Sequence, residues 1–269
     1  MYDHYHLLRD NTVLAHAVHL EEEELELIKK RNSGISHCPT SNFNLTSGVA
    51  KVGLMLDRQI KVGLPCFLRL PSTLILAQVG LGTDVSGGFA PSILTTIQHA
   101  SIAAKVVAFT SPADPADPQS FASKPLKIAT LFWLATLGGA RVCNLEHKIG
   151  SLQVGKSFDA IVANVRNTPA HSHHHHHHHH HHQHLVSLEN PNIWGVGDDE
   201  ELGLEIRRRK DEADCDGEAD PDDEKKLKEE LDAMLERLLF CGDDRNLRRV
   251  YVQGRWIGGT ERPARDRIL

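Results

Sequence analysis

Three short apolar runs near the start of the chain each break off at a residue able to do chemistry, and each is followed by a helical pattern. Thr12-Val13-Leu14-Ala15 reads as a strand ending at His16, with an acidic helix over about 20–31 behind it. Gly34-Ile35-Ser36 reads as a second strand ending at His37-Cys38-Pro39, and a helix over 49–57 follows. A third strand ends at Gly82-Thr83-Asp84, ahead of helices over 91–109 and 124–137, the latter expected to stop at the Gly138-Gly139 pair. Strands that alternate with helices build a parallel sheet, because each crossover returns the chain in the same direction. The pattern therefore predicts an α/β fold of about three βα units. A closed (β/α)₈ barrel takes eight units and about 250 residues, so three units leave a parallel sheet with an unpaired edge.

The remainder has a different character. Lys148 to Leu152 and Phe158 to Ala163 read as short strands, and Arg249 to Ile257 reads as a hairpin. These pieces are expected to pair into one small β domain made of 148–165 and 241–269. Between them, 166–222 carries a histidine tract from His171 to His184 and a stretch rich in Asp and Glu. It holds too few apolar residues to offset the entropy of ordering, and is expected to be a disordered insertion. Leu227, Leu231, Met234, Leu235 and Leu238 recur at helical spacing and predict a helix over 223–240. The remaining region, 1–147, is then the partial barrel.

The net charge of −6 over 269 residues gives no electrostatic reason to expect nucleic-acid binding. No stretch approaches the roughly 20 apolar residues that cross a bilayer, so no membrane partner is expected. Five scattered cysteines without a CxxC pair suit a reducing cytoplasmic setting.

Within the three βα units, His16, His37 and Asp84 each stand where a strand ends, the end at which parallel α/β folds place their sites. A lone strand-end histidine is an ordinary structural residue, but three such groups on successive strands suggest a shared site. Imidazole and carboxylate are also ligands of catalytic zinc, and zinc lowers the pKa of its water to about 7. Cys38, although beside His37, shows nothing nearby to activate a thiolate. The four glutamates Glu21 to Glu24 read as a solvated helix face.

Val13-Leu14-Ala15-His16, the segment His37-Cys38-Pro39-Thr40-Ser41-Asn42, and Gly80-Leu81-Gly82-Thr83-Asp84 resemble the last three barrel strands of the amidohydrolase superfamily. The HCP-x-SN string narrows the resemblance to its deaminase and chlorohydrolase branch. Ala135 to Ala140, Val154 to Ala160, and Gly242-Asp243-Asp244-Arg245-Asn246 are similar to guanine deaminases within that branch. The resemblance implies the C-terminal part of an amidohydrolase-type TIM barrel plus part of a small flanking β-sandwich domain. It implies hydrolysis of guanine to xanthine and ammonia with one Zn²⁺ per complete active site, guanine as the small-molecule partner, and a homodimer as the assembly. Asp84 would ligate the zinc and act as base, His16 would contact the attacking water or the purine, and His37 would line the rim of the pocket.

Two departures accompany the likeness. The family's first-strand HxH pair and fifth-strand HxxE segment are read as having no counterpart here, so this chain by itself is expected to be inactive. In addition, Val62-Gly63-Leu64 is echoed by Val79-Gly80-Leu81, which marks 62–78 as an insertion, either an intron read through or a surface loop. The rival functions are another deaminase or chlorohydrolase of the branch, and a non-catalytic truncated product or His-rich metal-binding protein.

Overall fold

The computed structural model describes residues 1–59, 79–111, 120–165 and 221–261. The insertion at 62–78 and the His-rich tract lie outside them. The chain divides into two compact units, Met1–Asp159 and Ala160–Leu269.

In the first unit, β1 (Val13–Ala15), β2 (Gly34–His37) and β3 (Val79–Leu81) form a parallel sheet in the order β1-β2-β3. The strand pairing uses the second of the two Val-Gly-Leu copies, with Val79 opposite Ile35 and Leu81 opposite His37. Between β1 and β2 runs α1 (Glu22–Lys30). Its acidic run has a local reason: the Glu21 and Glu24 side chains form a capping box, Glu22 to Glu24 fill the first turn, and Lys29 and Lys30 close the last. Leu25 and Ile28 carry its buried face.

A short helix absent from the sequence reading, α2 (Pro39–Asn44), follows β2 directly. Pro39 suits it as the first helical residue, where its missing N–H is not needed. Next come α3 (Val52–Gln59) and, after β3, α4 (Ile93–Thr110), whose first free N–H groups include one taken by the Ser92 hydroxyl. Contrary to the sequence expectation, α4 is long and apolar enough to cross a membrane by length and composition. Here it serves as a core helix, burying Ile97, Ala100, Ala103 and Val107.

The helix expected to stop at Gly138-Gly139 runs through that pair. It starts as α5 (Ile128–Trp133), widens by one π turn over Leu134–Gly138, and continues as α6 (Gly139–Val142). The glycines are spent on proximity. A Cβ on Gly80 would lie 2.8 Å from the Cα of Gly139, and one on Gly138 would lie 2.7 Å from the Val79 carbonyl. Helix and sheet therefore meet backbone to backbone, and Leu131, Leu134, Ile35, Val79 and Leu56 close the core around them.

The expected strand at 148–152 is a series of turns and bends. Gly150 lies in the left-handed region, where its Cα packs toward Ala140 and Leu137, so this stretch belongs to the first unit.

The second unit contains β4 (Ala160–Ala163), α7 (Pro221–Cys241), β5 (Leu247–Val252) and β6 (Arg255–Gly258). Its strands form one antiparallel sheet in the order β4-β5-β6. Among the described residues this is a single sheet, where a sandwich was expected. The Gly242–Asn246 string makes the turn that leads into β5. The Asp243 carboxylate accepts from the Arg245 backbone and guanidinium, and the Asn246 side chain accepts from the Asp243 N–H and donates to the Asn164 carbonyl. The Arg245 partner holds the Asp243 carboxyl below the usual carboxylate range. In this unit the string ties β5 to the end of β4.

Candidate active site

Adjacent strands of a parallel sheet put their C-terminal ends on one side. His16 follows β1, His37 ends β2, and Asp84 lies three residues beyond β3. The structure brings His16 and Asp84 together, with Nε2 3.6 Å from Oδ2, and leaves both partly open to solvent, 40% and 38% exposed.

Both side chains leave the backbone at strained points. His16 has φ +66° and Asp84 φ +49°, the left-handed region that side-chain-bearing residues seldom enter. At His16 the Ala17 N–H donates to the Ala15 carbonyl at 2.8 Å, which makes the residue the centre of a γ-turn of the rare, strained hand. The turn is secured on its other side, since the His16 N–H donates to the Ser36 carbonyl. Asp84 is braced by its own loop, the Gly88 N–H donating to its carbonyl at 2.6 Å. A Cβ on Gly87 would stand 2.6 Å from Asp84 Oδ2 and 2.8 Å from Ser41 Oγ. Only glycine allows the loop to pass so near the carboxylate.

His37 occupies a different place from the rim position expected of it. It is a β2 residue, 1% exposed. Burial, aided by the nearby His16, lowers its pKa to about 4, so the ring is neutral near pH 7. Around it, the His37 Nδ1, Ser41 Oγ and Asn42 Nδ2 atoms are buried without a hydrogen-bond partner among the described residues. Burial raises the pKa of the Cys38 thiol, which leaves it an inert packing group.

Asn42 was quoted only as part of a motif, and its role escaped the sequence reading: its Oδ1 lies 2.9 Å from His16 Nδ1. His99 on α4 was missed altogether. It joins Thr40 Oγ1 at 2.8 Å and packs edge-on against Phe89, tying α4 to α2. The literal strings His4-Tyr5-His6 and His19-Leu20-Glu21-Glu22 do occur. The first lies in an exposed turn before β1, and His19 is an exposed residue held by the Ser47 carbonyl. Neither string sits on a strand.

Among the described residues, no three His, Cys, Asp or Glu side chains gather around one point as a metal site requires. Asp84 offers one carboxylate and His16 one imidazole, whereas a catalytic zinc is held by about three protein ligands. The described donor set does not fit a zinc ion by itself.

The fold is thus an α/β one whose parallel sheet carries a carboxylate and an imidazole side by side at its C-terminal end. The chain belongs to the amidohydrolase family, whose model matches residues 1–257. A probable guanine deaminase of Schizosaccharomyces pombe is 35% identical over 264 residues, covering 98% of this chain and 36% of the relative. Guanine deaminase of Escherichia coli superposes with a TM-score of 0.59 at 25% identity, over 96% of this chain and 41% of the other. Guanine deaminase of C. acetobutylicum, with guanine bound in its active site, gives 0.55 at 28% identity, over 96% of this chain and 42% of the other. The chain thus spans well under half the length of these relatives.

Proposed function

We propose that this chain is the C-terminal part of an amidohydrolase barrel, its last three βα units with part of a flanking β unit, and that the assembled enzyme hydrolyses guanine to xanthine and ammonia. The observation that carries this reading is the His16–Asp84 pair at the sheet's C-terminal end. The reading is supported by similarity to guanine deaminases over nearly the whole chain.

Deamination adds a water oxygen to the ring carbon that bears the amino group, moves the water's proton to nitrogen, and expels ammonia. Of these tasks, the chain's own residues perform the first. Asp84 Oδ2 accepts the water's proton, and His16, across the 3.6 Å gap, holds the same water from its other side. Proton delivery to the ring nitrogen and the metal belong to HxH and HxxE motifs that none of the described strands carries. The chain alone is therefore inactive and gains activity only with a polypeptide carrying those motifs.

The test is guanine turnover to xanthine, with zinc content, for the full chain alone and mixed with a polypeptide supplying the two motifs. Turnover only in the mixture, lost in Asp84→Ala, is the expected result. Preference for a triazine or an adenosine derivative over guanine would overturn the substrate, and turnover untouched by Asp84→Ala would overturn the site.

A further inference from the structure

Asn42 is 2% exposed on α2, and its side-chain oxygen faces His16 Nδ1 at 2.9 Å. Two acceptors at that distance repel, so the ring nitrogen carries the hydrogen and donates it to the amide oxygen. In a neutral imidazole the other nitrogen is then the acceptor. That nitrogen, Nε2, looks across 3.6 Å at Asp84 Oδ2, a second acceptor. The distance is too long for a direct hydrogen bond, and without a hydrogen between them the two lone pairs oppose each other. A water at about 2.8 Å from each would resolve the opposition, giving one hydrogen to Nε2 and the other to the carboxylate.

We propose that Asn42 is the positioning residue of this site: it locks His16 in the Nδ1–H tautomer, so that Nε2 and Asp84 present paired acceptors that orient one water. With both hydrogens engaged, the water's lone pair is left for the electrophilic carbon. A proton passes to Asp84 as the carbon–oxygen bond forms.

Two further features fit a positioning role better than a structural one. The Asn42 Nδ2 is buried with no partner among the described residues, and a buried donor left unmet is costly. Among the described residues the amide side chain's bond is the one to His16. The ring it holds springs from the strained turn at His16, so backbone and amide fix the imidazole from both ends. The water's part in catalysis rests on the reading above, while the tautomer itself does not.

The experiment is long-range ¹⁵N–¹H correlation NMR of the full chain with labelled histidine, about two pH units above the ordinary imidazole value near 6.5. His16 is assigned by the signal lost in His16→Gln. The expected wild-type spectrum shows His16 protonated at Nδ1. Asn42→Asp, which keeps an acceptor oxygen, retains that pattern, and Asn42→Leu loses it toward the mixture of free imidazole. An Nε2–H tautomer in the wild type, or in Asn42→Asp, would overturn the proposal even if Asn42→Leu failed to fold. Nδ1–H persisting in a folded Asn42→Leu would do the same. If Nδ1–H is seen but the reconstituted enzyme ignores guanine, the substrate reading fails and the role of Asn42 stands.

Discussion

His16 and His37 are neighbours with opposite circumstances, and the difference has a consequence for acid stability. The folded state holds His37 at about 4, below its unfolded value of 6.5, so between those limits the unfolded chain binds more protons. Stability from this group is complete above about pH 6.5 and falls as the pH drops toward 4, by about 3 kcal/mol in all. His37→Gln, compared with wild type in urea melts at pH values across that window, is expected to flatten the dependence. A second prediction concerns Gly87. Its replacement by alanine would push a methyl into the Asp84 carboxylate, and misplacement by about 1 Å costs on the order of 100-fold in rate. The reconstituted enzyme carrying Gly87→Ala should lose that much kcat while its melting midpoint moves little. The identities of His16 and Asp84 were legible because strand ends in parallel sheets converge. Their aim was not, because a left-handed φ at a histidine or an aspartate leaves no mark in composition or periodicity. His37 shows the same limit. Its place at the end of a strand was readable, but its burial was not, and the six-residue helix α2 that follows it is too short to show a period.

At the scale of elements, the approach of α6 to β3 is set by absent side chains. Gly80→Ala would bring a Cβ within 2.8 Å of the Gly139 Cα, and forcing atoms into a packed interior costs about 1–3 kcal/mol. Denaturant melts should show that loss without a change in slope. This contact also explains the error at Gly138-Gly139, where local propensity predicts a stop and packing against the sheet overrides it. Gly138 and Gly139 read as punctuation in one dimension and act as a docking face in three. The turn at Asp243–Asn246 teaches a related lesson. Its residues marked the family, yet in its own unit it caps a turn and anchors β5 to Asn164, a role that likeness to other sequences cannot separate from recognition of a purine.

For the molecule as a whole, zinc content separates the rival readings. Once His171 to His184 are deleted, the reconstituted enzyme should keep stoichiometric zinc and lose it in Asp84→Ala. If the deletion alone removes all metal, the histidine tract is the binder and the chain is a metal-binding module. From sequence the character changes at 148, whereas the two units divide after Asp159, because the stretch from 148 forms turns and bends packed on the first unit instead of a strand. The order β4-β5-β6 needed coordinates, since its partners are separated by more than eighty residues of sequence, from Ala163 to Leu247.

The outer side of β1 carries its own implication. Gly34 N–H bonds Thr12 and His16 N–H bonds Ser36, so by alternation the Val13 and Ala15 amides turn away from β2. Hydrogen exchange should find both unprotected and Leu14 slow. A segment aligning in parallel along those amides would end at the same edge of the sheet as His16, on the flank of β1 away from β3. The backbone alone would then decide the direction and register of such a segment.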